Sequence, residues 1–528
     1  MEIIILKQIS YTRGKEHILF YTKQIGKKIE SHADLSFLDS TRASTIISFD
    51  FINIIDSIHI EDNITFIDII NLKRQLVGRS KNEFKKSERP WLIWNMINEI
   101  KPEEIGFDAI KLKEKIESAK AVFLGVVPND FNASTIYSFL LDCIEIIYVN
   151  LKKELSISNE KERFIQIEVK LNNVLFTAQK SGINIDVQKV KQYIQEINID
   201  LYAVKNKLQL KFGVFSMYDY DNIRTKLITD FPWFKDIKLN SKEFWKAIKL
   251  QRNNSEFIEL LYLERKHTKN KTILTRIGSL DIDNVNPMLD YMGTITGRIL
   301  ADSPSLQQLN KVYRDIIIPR AEMELVYIDY CQFEAGILAF EADEGKLIEM
   351  YNKSDIYTEI SNKLGTKNVS RDFAKKLFFS YCYGMSKENI LKYSGKNLDL
   401  FFKEFPNLTN YENAILKIFL DDGFVETTLG NRRYKSLNNV ENKKEGWLIS
   451  QKIQGKASLI LKEVILQVYN KNKEIEFLLP MHDAILYQVP QSKIDVLTKE
   501  IEDTFKSVLK RHCPSLDPKI SIKPFHEA

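Results

Sequence analysis

The chain has 528 residues, too many for one domain and enough for about three or four. With 44% hydrophobic and 28% charged residues it has the composition of a globular protein that buries a core, which excludes disordered and fibrous classes. The formal net charge of +5 is mild: it suits a nucleic-acid partner without demanding one.

The N-terminal MEIIILKQIS holds only a four-residue apolar run before Lys7, too short for a signal or anchor, and no later run is expected to span a bilayer. Up to about residue 155, Ile-rich runs (Ile3 to Leu6, Thr45 to Phe51, Ile64 to Ile70) alternate with polar and helical stretches, which predicts a small α/β domain. From about Glu168 to Gly278, apolar and charged residues alternate at helical spacing, with Ser216 to Ile223 as a link between long helices. Lys266, His267, Lys269, Lys271 and Arg276 follow an apolar helix at Phe257 to Tyr262. Such a run is either a solvated face or a row that tracks phosphates.

The segment ELVYIDYCQFEAGILAF drives the apolar stretch Leu325 to Ile328 into Asp329 and sets Gln332 and Glu334 just beyond. A buried strand delivers a carboxylate to a site in this way. In RDFAKKLFFSYCYGMS, Arg371, Lys375, Phe379 and Tyr383 fall at successive fourth positions, so they share one helix face, cations first and aromatics after. A planar guanidinium and a mobile ammonium one turn apart suit a triphosphate, and the rings offer a surface for a base or sugar. An ordinary amphipathic helix, solvated at one end and buried at the other, has the same pattern. In FLLPMHDAILYQVP, apolar residues on both sides place His482 and Asp483 at the tip of a hairpin or sharp strand turn. Either aspartate alone reads equally well as a cap at a strand end. Together, at the edge of one sheet, they match the need of two-metal phosphoryl transfer, in which ions about 3.5–4 Å apart each touch both carboxylates. The four cysteines, Cys143, Cys331, Cys382 and Cys513, show no Cys-x-x-Cys spacing, so neither a zinc site nor a disulfide framework is expected, and a reducing cytoplasm fits.

From about residue 160 onward the chain resembles the family A DNA polymerases. DYCQFE (Asp329 to Glu334) is similar to that family's DYSQIE, RDFAKKLFFSYCYG (Arg371 to Gly384) to its fingers helix, and HDA (His482 to Ala484) to its HDE. TGRILADSPSLQQL (Thr296 to Leu309), GFVETTLGNRRY (Gly423 to Tyr434) and IQGKASLI (Ile453 to Ile460) resemble further segments in family order, as do SDIYTEIS (Ser354 to Ser361) and KSGINIDVQKV (Lys180 to Val190).

The resemblance implies an α+β multidomain chain built as a right-hand polymerase. It places an exonuclease-like α/β domain at 1–155, palm entry and a helical thumb at 156–285, palm with the first catalytic Asp at 286–340, fingers at 341–440 and palm with the second at 441–528. It implies a template-directed DNA polymerase in which Asp329, Asp483 and the Tyr330 carbonyl bind two Mg²⁺ ions. Arg371 and Lys375 would clamp the incoming deoxynucleotide, Lys375 also as proton donor, and Phe379, Tyr383, Gln332 and Glu334 would complete its site, Glu334 as a steric gate. Arg298, Gln454, His482 and Arg314 would contact DNA. The implied partners are primer–template DNA and deoxynucleoside triphosphates, with no membrane, with room for a processivity partner, and with a monomeric cytoplasmic chain.

Departures from the family pattern are Ala484 for a Glu, Ala335-Gly336 for Leu-Arg, Tyr357 for a His, Ser380 and Lys456 for a Gly and a Thr, a shortened stretch between Gln308 and Asp329, and a missing Arg and Asn near Gly446 and Ser450. The N-terminal region has Asp50 after a strand but no Glu two residues on, and Asp142 on a helix without a tyrosine four residues before it, so its exonuclease chemistry is expected to be lost and its role to be that of a scaffold or DNA clamp. Two other readings remain. A single-subunit RNA polymerase shares the aspartates and the Arg/Lys helix, and ribonucleotide use would reveal it. A catalytically weak DNA-binding scaffold is the other, which primer extension would exclude.

Overall fold

The computed structural model describes residues 1–12, 15–36, 38, 45–61, 63–123, 133–363, 370–383, 391, 402–436 and 447–527. Gly384 and Gly446 lie outside these residues.

The N-terminal part is built on a five-stranded sheet in the order Ile29–His32, Lys15–Gln24, Glu2–Thr12, Thr45–Ser48, Thr65–Asp68. The first three strands are antiparallel, and the last two run parallel to Glu2–Thr12. Alternation sends Ile4 and Leu6 to one face and Ile3 and Ile5 to the other, so each face has its own core. The expected Ile64 to Ile70 strand is only half strand. Asp68 accepts hydrogen bonds from the Ile70 and Asn71 amides, and as an N-cap it turns the chain into the helix Ile69–Val77.

Against the first face packs the helix Ala133–Ser156. Contrary to the sequence expectation, it is long and apolar enough for a bilayer, with a mean hydropathy of 1.3 over its most apolar window. Half of that window is buried in this domain, and Asp142 and Glu145 within the helix both pair with Lys23 of the sheet. The buried half of the window packs against the first face of the sheet.

Beyond the helix Val169–Ser181, the helices Val187–Phe212 and Glu256–Gly278 form a long antiparallel arm, fixed in register by Val190 against Gly278 at its base and by a Lys211–Glu256 ion pair of 2.7 Å near its tip. The arm's tip has its own core, which includes Phe234, Phe244 and Ile248. The expected link at Ser216 to Ile223 is helical in its second half, because Asp219 caps the helix Tyr220–Asp230. The basic cluster from Lys266 to Arg276 continues the same helix as Phe257 to Tyr262.

The centre of the molecule is a four-stranded antiparallel sheet in the order Glu476–Met481, Ala484–Pro490, Met323–Tyr330, Ile520–Lys523. The helices Leu448–Lys471 and Ile494–His512 contribute to the largest core, which this sheet shares. Between the two central strands the chain makes the helices Phe333–Glu341, Gly345–Lys353, Ile356–Lys363, Arg371–Cys382 and Pro406–Asp422 and the hairpin Phe424–Thr427/Gly430–Tyr434. The Gly336 departure has a packing reason. A Cβ there would lie 2.7 Å from the ring of Tyr351, so no larger side chain fits.

A buried ionic knot ties the parts together. Arg163 pairs with Glu160 at 3.2 Å and with Glu168 at 3.3 Å, and Lys462 pairs with Glu168 at 2.6 Å. Glu160 also accepts hydrogen bonds from Gln75 of the N-terminal part and from the Arg432 amide of the hairpin.

Candidate active site

Asp329 is the penultimate residue of its strand, and Asp483 occupies the turn between the neighbouring strand Ala484–Pro490 and the outer strand Glu476–Met481. Only two residues, His482 and Asp483, separate those strands, and His482 takes a positive φ of 22° to close so tight a turn. Asp329 stands opposite Ala484 in the ladder, and the Tyr330 amide donates to the Asp483 carbonyl at 3.2 Å. That register brings both carboxylates to the same end of the sheet.

Asp483 Oδ1 is shut off from solvent and accepts no hydrogen bond, although the rest of the side chain is 31% exposed. Its nearest paired cation is Arg298, at 4.0 Å. A buried carboxylate oxygen with no donor is a costly arrangement unless a cation completes it. Burial pushes the Asp329 carboxyl up to about 6, against the pull of Lys375, Lys523 and Arg314. Burial also raises Asp483; Arg298 and Lys375 oppose the shift, and the neighbouring Asp329 charge adds to it. The two carboxylates thus feel one another and the same ammonium. Such a pair fits divalent cations chemically, since a metal replaces both the missing donor and the missing counter-charge. Among the described residues no group of three or more His, Cys, Asp or Glu side chains is gathered, in keeping with Ala484 at the position next to Asp483.

Tyr330 turns its side chain away: the hydroxyl donates to the Phe505 carbonyl and the ring stacks on Phe333 at 4.3 Å. Only its backbone is left near the carboxylates. Gln332, with φ 55°, starts the helix Phe333–Glu341, and its carboxamide oxygen accepts from the Ile356 amide at 2.7 Å. It therefore anchors the next-but-one helix, a job its sequence position does not announce. Glu334 is buried, paired with Arg298 through one oxygen and hydrogen-bonded by the Tyr383 hydroxyl through the other. Burial and the Asp483 charge raise its carboxyl, and Arg298 and Tyr383 oppose them.

Facing this floor is the helix Arg371–Cys382. Arg371 and Lys375 lie exposed above the buried ring of Tyr357, at 5.3 and 5.6 Å from its centroid. The residue that departs from the family's His thus offers an aromatic face to both cations. Arg371 is engaged by Asp355 at 2.6 and 3.1 Å, a two-point contact that anything claiming the guanidinium must displace. Phe379 stacks on Tyr383 with centroids 5.3 Å apart.

His482 is open to the cleft, and burial of its surroundings together with Arg298 and Arg314 holds its imidazole below the usual range. Arg314 lies against the rings of Phe525 and Tyr327 and acts on Asp329. Gln454 is half-buried one helical turn before Ser458, whose hydroxyl donates to the Gly297 carbonyl next to Arg298. Sequence reasoning missed Asp355 and Lys523. The latter reaches Asp329 from the C-terminal edge strand, where the alternation in ISIK was the only signal.

The sequence profile of DNA polymerase family A matches residues 173–521. DNA polymerase I of Caldicellulosiruptor bescii is 25% identical over 392 residues, covering 66% of this chain and 45% of that protein. DNA polymerase I of Helicobacter pylori is 23% identical over 437 residues, covering 76% and 48%. The chain therefore spans about half the length of the curated relatives it matches. A solved structure of the POL domain of Pol1 from M. smegmatis, in complex with DNA primer-template and dNTP, superposes with a TM-score of 0.75 at 14% identity, over 100% of this chain and 96% of that one. The fold is thus that of a right-hand polymerase, and the chain belongs to DNA polymerase family A.

Proposed function

We propose that this chain extends a primer 3′ end with deoxynucleotides under the direction of a DNA template, without proofreading. The observation that carries the reading is the convergence of Asp329 and Asp483 at one sheet end, with Asp483 Oδ1 buried and undonated, beneath the Arg371/Lys375 helix.

Family A DNA polymerases use divalent metal ions. Here Asp329, Asp483 and the Tyr330 carbonyl would hold two Mg²⁺ ions, whose chemistry at such a site is to acidify the primer hydroxyl and to neutralise charge on the departing pyrophosphate. The protein's own part is positioning and electrostatics. Arg371 exchanges Asp355 for phosphate oxygens of the incoming nucleotide, and Lys375, already acting on both aspartates, binds the same phosphates and gives a proton to the leaving oxygen. Glu334, fixed by Arg298 and Tyr383, lies against the sugar and excludes a 2′-hydroxyl. Tyr383 stacks at the templating position and releases Glu334 as the helix rotates. Arg298, Gln454, His482 and Arg314 contact the primer end and the minor groove, where acceptors common to all base pairs allow a fit check without sequence preference.

Loss of proofreading is supported by the engagement of the candidate N-terminal acids: both Asp50 oxygens accept from Asn53, and Asp142 is paired with Lys23. We assign that domain the role of scaffold, and place the chain as a cytoplasmic monomer. The deciding experiment is primer extension with Mg²⁺ by the wild type and by Asp483→Ala. Extension by the first and none by the second supports the proposal, and equal use of ribonucleotides would move it to an RNA polymerase.

A further inference from the structure

The tip of the long helical arm approaches the Arg371–Cys382 helix across a cavity of about 730 Å³, within the range of small-ligand sites. One wall is the helix Lys242–Gln251, where Lys242, Lys246 and Lys249 fall at i, i+4 and i+7 and so share a face. The other wall brings Lys375 and Lys376. Five ammonium groups from two distant parts of the chain thus line one space, opposed there only by Glu243 and Asp372. None of the five has an ion-pair partner among the described residues.

This gathering runs against the charges' own preference. Lys376 is held below the usual lysine range by burial and by the neighbouring Lys249 and Arg252. Like charges are brought together at a cost that a polyanion between them removes. The arm is also where the chain's positive charge is concentrated: Val187 to Gly278 carry 18 Lys and Arg against 10 Asp and Glu, an excess above the +5 of the whole chain. Ala247, Leu250 and Phe379 add an apolar floor, so the space suits an anion joined to a flat ring better than an anion alone.

We propose that this cavity captures the triphosphate of an incoming nucleoside triphosphate before it reaches Arg371, with Lys242, Lys246 and Lys249 as binding residues contributed by the arm. Lys375 belongs to both places and passes the phosphates on. The inference rests on the polymerase reading for the fate of the ligand, but not for its binding.

The test is equilibrium binding of inorganic tripolyphosphate to the full chain, without DNA and in the presence of a chelator so that no metal contributes. The three arm lysines are exposed, so K242S/K246S/K249S keeps the fold, which circular dichroism checks, and K246E serves as a second variant. We expect the triple variant to bind at least about tenfold more weakly, as for loss of several charge-assisted contacts. In primer extension the KM for deoxynucleotides should rise with kcat unchanged. Tripolyphosphate binding equal to that of the wild type, or a loss confined to duplex affinity, overturns the proposal, as does a wild type that binds no tripolyphosphate. A wild type that extends no primer while the variants lose tripolyphosphate would remove the polymerase reading and leave the anion site standing.

Discussion

The Tyr383 hydroxyl donates to one oxygen of Glu334, and Arg298 holds the other, so a residue at the end of the cationic helix is latched to the floor of the cleft. Tyr383→Phe keeps the stack on Phe379 but leaves a buried carboxylate oxygen without its donor, at a cost of about 1–2 kcal/mol. The melting temperature should fall accordingly, and discrimination between deoxy- and ribonucleotides, measured as the ratio of kcat/KM values, should weaken because Glu334 is less firmly oriented. Glu334→Ala should weaken it further. An unchanged ratio in both variants would take the sugar gate away from Glu334.

Asp329 links the site to pH. Its carboxyl stands at about 6 instead of 3.8, so the folded chain holds this proton more tightly than the unfolded chain does. The stability from this group is therefore fully present below about pH 4 and lost as pH rises through about 6. Asp329→Asn escapes that loss and should be more stable than the wild type at pH 7.5 by about 1–2 kcal/mol after solvent screening, a gap that closes as pH falls toward 4. Mg²⁺ should raise the melting temperature of the wild type at pH 7.5 and leave the variant almost unmoved. Because a proton competes for the same oxygens, the Mg²⁺ concentration needed should fall between pH 5.5 and 7.5. A variant no more stable than the wild type at pH 7.5 would contradict the burial account.

The ionic knot predicts a defect far from the chemistry. Lys462 and Glu168 are 2% and 1% exposed, and Lys462→Met strands the Glu168 charge beside Arg163 alone. Urea unfolding should show a loss of about 3–5 kcal/mol, and adding Glu168→Leu should recover part of it, since removing both charges avoids an unpaired one. A double variant as unstable as the single one would show that the knot acts by shape and not by charge.

The strand that carries Asp329 and the hairpin whose turn holds Asp483 were legible because long apolar runs that stop abruptly at an acid have few other uses, and the fourth-residue repeat from Arg371 to Phe379 does form one helix face. What stayed hidden depends on contacts between distant segments. Nothing local marks Asp355 as the partner of Arg371, Gln332 as the anchor of Ile356, or Lys523 as a neighbour of Asp329. The strands Lys15–Gln24 and Ile29–His32 were missed because their few apolar residues are bounded by charged ones (Glu16, His17 and Lys23; Glu30 and His32), and so short a run does not separate strand from helix or loop by its period. The apolar length of Ala133–Ser156 was also missed; in the fold it belongs to a helix packed on a sheet.

Phe379 offers the most selective probe of the proposed nucleotide site. Its ring lies between those of Tyr357 at 5.9 Å and Tyr383 at 5.3 Å, half-buried, with an edge on the cavity and no polar atom to offer. A sugar bound against it must bring its own hydrogen-bonding group, which is the 3′-hydroxyl of a normal deoxynucleotide and is absent from a dideoxynucleotide. Phe379→Tyr adds one hydroxyl without changing the stack. If that oxygen replaces the missing one, dideoxynucleotide uptake should rise by about tenfold, the worth of one hydrogen bond. Uptake of ordinary deoxynucleotides should change little, because they already carry the group. Single-turnover incorporation of both substrates by the two proteins measures this directly, and equal dideoxynucleotide uptake would place the sugar somewhere other than against Phe379.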